Sequence, residues 1–356
     1  MIDNCKHKKH SSIIYIVFMV GGLLWISSCA SFKGAPVIRE PANATEPSLK
    51  GAVFQSKDYA LYRLEEGETP ALLAKAFFGD QDRAWVIEDE NRNTTFEKGR
   101  FVVIPLKDRK KGGLHKDGYQ VVPILCYHRL ARTCQPPLCI SANAFEKQMK
   151  YLRDHGYRTI TMAELYGFLQ YRHGIPARSV VITFDDGYQS FSEIALPILR
   201  QYGYKATLFV YTDFIGHSNE ALTWNQLKEI KTKGFEIGSH SVSHTDFTEK
   251  RADEDDHAYA ARIKRDLSLS KKILDERLDQ DTTYLSFPSG GHNPRILQWA
   301  EQAGYKIGLS AKKGSNPFFA DPMALKRNQI IAQDIRTFIT HLVVFKKSSL
   351  KEDYVQ

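Results

Sequence analysis

The sequence lacks several features that mark common protein classes. Its long apolar run, residues 13–26, has only 14 residues, whereas a helix that crosses a bilayer needs about 20. No arginine- and lysine-rich stripe with interleaved aromatic residues occurs, so nucleic acid is not a predicted partner despite the net charge of +8. The five cysteines form no C-x-x-C pair, which argues against a zinc site built from thiolates.

What is present is typical of a globular protein. The 356 residues are 42% hydrophobic and 25% charged, enough for one large domain and a smaller one. The mildly basic balance suits an anionic surface such as a cell wall or a membrane, and an ordinary basic surface explains it equally.

The N-terminus has the pattern of an export signal. A basic stretch, KHKKH, precedes the short apolar run, as in a signal peptide. The following ISSCAS resembles a bacterial lipobox, which implies a signal peptide over residues 1–28 and a lipidated Cys29 that anchors the chain to a membrane. Ala30 in place of aspartate favours the outer membrane, facing the periplasm. An ordinary signal peptide or an uncleaved anchor is the alternative.

Export makes disulfide bonds permissible. Cys134 and Cys139 flank QPPL, whose prolines favour a closed loop. The sequence allows either a disulfide bond between them or two free thiols. Cys126 lies in an apolar run and is expected to be a buried thiol.

A small module is predicted after a proline-containing tether at residues 29–57. Residues 58–107 predict the order strand, helix, helix, strand, with Thr69 and Pro70 beginning the first helix. The LAKAFFG helix, Trp85, Asn91 and the IP ending resemble a LysM module, which implies binding to N-acetylglucosamine-containing glycans. The alternative is a small structural cap without a ligand. A charged, glycine-rich linker is expected at residues 108–119.

Residues 120–345 alternate between strands and helices, which predicts an α/β arrangement with a parallel sheet, followed by a tail at 346–356. In such folds the reactive groups lie at the carboxyl ends of the strands. The motifs TFDDG, GSH and SFPSGG all follow predicted strands. They are therefore expected at one rim of the domain.

Two histidines and one carboxylate at this rim predict a metal site. His240 and His244 are four residues apart, a spacing that places two side chains on one face of a helical turn. Together with Asp185 or Asp186 they make a plausible Zn²⁺ ligand set with room for water and substrate.

TFDDG, HSVSH and SFPSG occur here in that order and resemble the motifs of NodB-type polysaccharide deacetylases, carbohydrate esterase family 4. The resemblance covers about residues 120–345 and implies a distorted (β/α) barrel with fewer than eight regular strands. It implies Asp185 as general base and Asp186, His240 and His244 as ligands of a divalent metal, Zn²⁺ first and Co²⁺ or Ni²⁺ also suited. The backbone N–H of Ser289 is implied as an oxyanion donor.

Three positions depart from the family pattern. Ser286 stands where an arginine usually orients the base, Ser289 replaces a tyrosine, and LKRNQI lacks the usual histidine that provides the general acid. Arg327 is a hypothesis for the missing guanidinium. The variant resembles the branch that acts on secreted poly-N-acetylglucosamine, in which CYHRL places His128 near the site. A packed histidine is the alternative for His128, and the general acid stays unassigned.

The expected function is metal-dependent removal of N-acetyl groups from an N-acetylglucosamine polysaccharide, exopolysaccharide or peptidoglycan, by an exported lipoprotein of the cell envelope. An O-acetyl esterase on the same fold is one alternative. A catalytically degenerate glycan-binding envelope protein is the other, motivated by the missing arginine and histidine.

Overall fold

The computed structural model describes residues 51–107, 111–134 and 137–348. The signal peptide, Cys29 and residues 30–50 of the tether lie outside these ranges. Within them, no helix is both long enough and apolar enough to cross a membrane.

The small module forms a three-stranded antiparallel sheet with two helices packed on it. Its elements in chain order are β1 (Ala52–Gln55), β2 (Tyr59–Arg63), α1 (Pro70–Phe78), α2 (Ala84–Glu90) and β3 (Phe101–Pro105). The predicted start of the first helix is confirmed, since the Thr69 side chain accepts a hydrogen bond from the N–H of Leu72 and Pro70 follows. β1 falls in the segment assigned to the tether. Three of its four residues are exposed, so it carries no alternating apolar pattern that a sequence reading could detect.

Asn91 joins the second helix of the module to its last strand. The side-chain amide donates to the carbonyls of Ile87 and Val103, at 2.7 Å each, and its oxygen accepts from the N–H of Val103 at 2.9 Å. Asn91 is 7% exposed. It therefore supplies the hydrogen-bond partners that α2 and β3 cannot give each other.

The large domain is built on a strongly curled sheet. Its strands are β4 (Leu114–His115), β5 (Gly118–Tyr127), β6 (Arg129–Ala131), β7 (Cys139–Ser141), β8 (Arg158–Thr159), β9 (Ser179–Asp186), β10 (Thr207–Val210), β11 (Glu236–Ser239), β12 (Tyr284–Ser286), β13 (Ile307–Leu309), β14 (Ser315–Pro317), β15 (Asn328–Gln329) and β16 (Phe345–Lys347). The central order is β13-β12-β11-β10-β9-β5, and each neighbouring pair in it is parallel. The predicted parallel α/β arrangement is thus confirmed for the central strands.

Helices connect these strands and cover the outside of the sheet. They are α3 (Ala142–Asp154), α4 (Met162–Leu169), α5 (Leu196–Gln201), α6 (Trp224–Thr232), α7 (Asp256–Leu278), α8 (Pro294–Gln302) and α9 (Ile335–Thr340). The core between them and the sheet includes a cluster of Tyr127, Phe145, Phe184 and Phe191, whose rings contact one another at 5.0–5.8 Å.

One irregular segment bridges the open side of the curled sheet. Leu325 pairs with Leu309 of β13, and three residues later β15 pairs in parallel with Leu125 and Cys126 of β5. The chain between these two pairings carries Arg327. The fold is therefore a distorted barrel whose gap is spanned by residues 325–329.

The sequence-based division differs from the structure at two boundaries. Residues 114–119, assigned to the linker, form β4 and the start of β5, and residues 346–347, assigned to the tail, lie in β16. β16 pairs with Gly118–Gln120, so the two ends of the domain stabilise each other. Short edge strands with charged side chains are easily taken for loops because they show no apolar alternation.

We expect Asn91→Ala to destabilise the small module by about 2–4 kcal/mol, because the change removes the Asn91 side-chain bonds to both the N–H and the carbonyl of Val103. Hydrogen exchange at the Val103 amide measures the loss directly. Asn93→Ala, at an exposed position two residues away, is the matched control and should leave the exchange rate unchanged.

Candidate metal and catalytic site

Three strands end at one rim of the curled sheet. β9 ends with Asp185 and Asp186, β11 is followed at once by His240, and β12 ends with Ser286. Because neighbouring parallel strands present their carboxyl ends on the same side, these residues converge.

Asp186, His240 and His244 form a group whose ligand atoms lie within 4.8 Å of one another. Asp186 Oδ1 is 3.2 Å from His244 Nε2 and 3.6 Å from His240 Nε2, and the two Nε2 atoms are 3.1 Å apart. Tetrahedral ligands at about 2.1 Å from Zn²⁺ stand about 3.4 Å from each other. The spacing of these three side chains fits a divalent metal.

Two further observations support this fit. Asp186 Oδ1 is buried and has no hydrogen-bond partner among the described residues. His240 Nδ1 lies 2.7 Å from the carbonyl oxygen of Ser286, to which it donates, so the lone pair of Nε2 points into the group. Burial lowers the pKa of His240, which keeps it in the neutral form that binds metal.

The two histidines meet through a loop and not through a helical turn, which corrects the expected backbone. Residues 240–247 contain no helix, and Ser241 and His244 have φ values of 75° and 59°. The Ser241 hydroxyl accepts the N–H of His244 at 2.8 Å, while Asp266 on α7 accepts the N–H of Val242. These bonds hold a strained loop that brings both imidazoles together.

Strain is concentrated at this rim. Seven non-glycine residues of the described chain have positive φ, and four of them are Asp186, Ser241, His244 and Ser289. Such conformations cost of order 1–3 kcal/mol each and persist where surrounding contacts enforce them, often at functional sites.

Asp185 pairs with Arg327 beside the group of Asp186, His240 and His244, and its Oδ2 lies 3.8 Å from His240 Nε2. Nη1 of Arg327 lies 2.8 Å from both carboxylate oxygens of Asp185, and Arg327 Nε donates to the carbonyl of Ser310 at 3.0 Å. Both side chains are almost completely buried. The structure thus places the Arg327 guanidinium against Asp185, as the hypothesis for Arg327 predicted.

The electrostatics of Asp185 follow from this pair. Burial by itself would raise the pKa of Asp185, but the nearby Arg327 guanidinium outweighs it and holds that pKa well below its usual range. Asp185 is therefore ionised at neutral pH and into the acid range.

Ser286 and Cys126 also contact Asp185, and neither is among the predicted site residues. The Ser286 hydroxyl donates to Asp185 Oδ2 at 3.0 Å, and the Cys126 thiol donates to the same oxygen at 3.7 Å. Burial raises the pKa of Cys126 strongly, so it stays a thiol. A sequence signal for Cys126 exists, because it lies two residues before His128, and side chains two residues apart in an extended chain point to the same side.

The other predicted residues lie at varying distances from this centre. His128 is half-buried and its ring nitrogen lies within 4.8 Å of the Asp185 carboxylate and the Cys126 thiol. Ser289 lies in the turn Pro288–Gly290 after β12 and is exposed. Its assignment as an oxyanion donor stays a prediction.

Cys134 and Cys139 form a disulfide bond, and Cys126 is the free, buried cysteine of the described chain.

Fold and site together define an α/β barrel with a metal-ligand group and a separately held carboxylate at its carboxyl rim. Residues 173–308 match the family model described as Polysaccharide deacetylase. The matched segment includes TFDDG and HSVSH, and the match supports the resemblance to NodB-type deacetylases for this part of the chain.

Known relatives agree with this assignment. The Bacillus subtilis (strain 168) protein YxkH, named for the polysaccharide deacetylases, is 34% identical over 194 residues, 54% of this chain and 66% of its own length. The poly-beta-1,6-N-acetyl-D-glucosamine N-deacetylase of Staphylococcus aureus (strain MRSA252) is 31% identical over 49% of this chain and 61% of its own. The chain thus spans somewhat less than two thirds of these relatives.

A solved structure shows the same fold. The Streptococcus pyogenes deacetylase PplD, determined in complex with acetate, superposes with a TM-score of 0.57 at 27% identity, over 63% of this chain and 98% of PplD.

We expect His240→Ala to weaken Zn²⁺ binding by at least about 100-fold, because it removes one of three protein ligands. Competition against a chromophoric chelator measures the affinity. His217→Ala, an exposed histidine outside the group, is the matched control. Equal affinity in the two variants would contradict the assigned ligand set.

Proposed function

We propose that the chain is a metal-dependent polysaccharide de-N-acetylase that acts on N-acetylglucosamine-containing glycan in the bacterial envelope. The observation that carries the proposal is the division of labour between two adjacent carboxylates. Asp186 faces the two histidines, whereas Arg327 and Ser286 hold Asp185 as an ionised base beside them.

The chain's own residues suggest how an acetamide is hydrolysed. A divalent metal held by Asp186, His240 and His244 would supply Lewis-acid polarisation of the acetamide carbonyl. Asp185 accepts the proton of the attacking water, and the backbone N–H of Ser289 is the proposed donor to the developing oxyanion. The C–N bond then breaks, acetate leaves and the sugar nitrogen takes up a proton. His128, half-buried near Asp185, is the proposed donor of that proton.

The substrate proposal rests on likeness to relatives. A relative of 31% identity is named for poly-beta-1,6-N-acetyl-D-glucosamine, which favours this exopolysaccharide over peptidoglycan. The LysM-like module supports binding to the same type of glycan, and the lipobox-like ISSCAS supports anchoring through Cys29 in the outer membrane. An intact metal-ligand group argues against a degenerate binding protein.

Asp185→Asn is expected to abolish acetate release from poly-N-acetylglucosamine, a loss of at least about 100-fold, while Zn²⁺ affinity stays near that of the parent. The physical reason is that the amide accepts no proton, whereas the metal ligands are unchanged. Acetate release at the parental rate would refute Asp185 as the base.

O-acetylated xylan or peptidoglycan provides the control substrate for the reaction type. Acetate release from these esters alone, with none from N-acetylglucosamine oligomers, would select the O-acetyl esterase alternative.

Replacement of Arg327 tests the electrostatic role of the ion pair. Arg327→Met removes the positive charge that opposes the effect of burial on Asp185. The pKa of Asp185 therefore rises, and the carboxylate becomes protonated at a higher pH than in the parent. The acid limb of the kcat/KM profile should move upward by about one pH unit or more. Arg327→Lys, which keeps a positive charge, should show a smaller shift. Profiles recorded at saturating metal separate this effect from metal loss, and an unchanged acid limb in Arg327→Met would contradict it.

A further inference from the structure

A cleft separates the small module from the large domain on the side away from the metal group. Its volume is about 630 Å³, within the range typical of ligand sites. The module contributes α2 and the exposed side of β2 and β3, and the large domain contributes Glu164 and residues 173–176. Two contacts beside the cleft join the small module to the large domain. Asp89 Oδ2 accepts the N–H of Ala177 at 2.8 Å, and Glu88 pairs with Arg158.

The cleft is remote from the catalytic rim. Residues 173–176 lead into the amino end of β9, whereas Asp185 and Asp186 end the same strand. Eight strand residues span about 26 Å at roughly 3.3 Å each. A ligand in the cleft therefore does not occupy the metal site.

The walls of the cleft suit a sugar. Half-buried Trp85 and partly exposed Tyr59 provide aromatic surface, and Val86, Val103 and Pro105 lie beside them. Aromatic rings with an apolar face and a polar tip are common where a ligand is partly apolar and partly wet.

The charged residues of the cleft favour a sugar that carries positive charge. Four carboxylates line it, those of Asp58, Asp89, Glu90 and Glu164, against two permanent cations, Arg83 and Lys107, and the imidazole of His173. Lys107 pairs with Asp58 at 3.0 Å, and the Arg83 guanidinium lies over the ring of Phe78. Arg92 lies beside the cleft and pairs with Asp89 at 3.3 Å, so the four carboxylates exceed the three permanent cations around them by one.

We propose that this cleft binds de-N-acetylated, cationic segments of the glycan, whose glucosamine units carry ammonium groups. The proposal rests on the proposed function, because that reaction converts neutral acetamides into amines. The acidic excess attracts the ammonium groups, and Trp85 offers them an aromatic face. The cleft would thereby hold the enzyme on chains that it has begun to deacetylate.

Binding is tested in the full mature chain carrying Asp185→Asn and freed of metal by chelator, so that the probe is not consumed. The probes are hexamers of β-1,6-linked N-acetylglucosamine, fully acetylated or chemically half de-N-acetylated, titrated by calorimetry. We expect the half de-N-acetylated hexamer to bind about fivefold or more tightly, with the preference declining between 50 and 500 mM salt.

Variants of the cleft should remove this preference. Trp85→Ala and the double change Glu90→Gln with Glu164→Gln are each expected to bring the two affinities within about twofold. The matched controls are Phe101→Ala, an exposed ring on the same module, and Glu97→Gln with Glu276→Gln, exposed carboxylates outside the cleft. Thermal denaturation of every variant checks that the fold is kept, and the double change alters charge without removing apolar packing.

Equal affinity for both hexamers, or a preference that survives in the cleft variants, would overturn the proposal. Acetate release by the unmutated chain is measured separately, so the two proposals fail independently. Release of acetate without a binding preference refutes the cleft site alone. A cleft-dependent preference without acetate release refutes the proposed function and retains an amino-sugar site.

Discussion

The buried ion pair between Arg327 and Asp185 decides what two adjacent carboxylates are able to do. Two buried negative charges side by side would raise each other's pKa, and one would become protonated. Arg327 supplies a positive charge at one carboxylate, while the imidazoles of His240 and His244 surround the other. Asp185 is thus kept ionised and held in one orientation, and Asp186 faces His240 and His244.

The architecture of the barrel provides this ion pair. Arg327 lies in the segment that spans the gap between β13 and β5, and hydrogen bonds from Ser310 to Leu325 and from Arg327 to Lys312 fix its backbone. Ser286, at the end of β12, links the two halves of the site, since its hydroxyl contacts Asp185 and its carbonyl accepts from His240. Asp185 is therefore contacted by Arg327, which the irregular segment carries, and by Ser286, which stands where the family pattern has an arginine.

Prediction from the sequence succeeded where chemistry is carried by short motifs and failed where it depends on backbone detail. The sequence predicted the alternation of strands and helices, the rim position of TFDDG and HSVSH, and the partnership of Arg327 with Asp185. β1 was missed because its residues are exposed, and the loop between His240 and His244 was taken for a helical turn because spacing alone does not report φ. The contacts of Ser286 and Cys126 with Asp185 were missed because neither side chain carries a charge that would mark it as the partner of a carboxylate.

The sequence by itself determined the type of domain, the residues able to bind a divalent metal and the presence of two aspartates at a strand end. Those properties follow from local patterns, namely side-chain chemistry and the period of apolar residues. Only the tertiary structure decided that the two histidines meet through a strained loop, that Ser286 and Cys126 contact Asp185, and that the small module and the large domain enclose an acidic cleft. Each of these depends on distances between segments far apart in the chain, which no local pattern specifies.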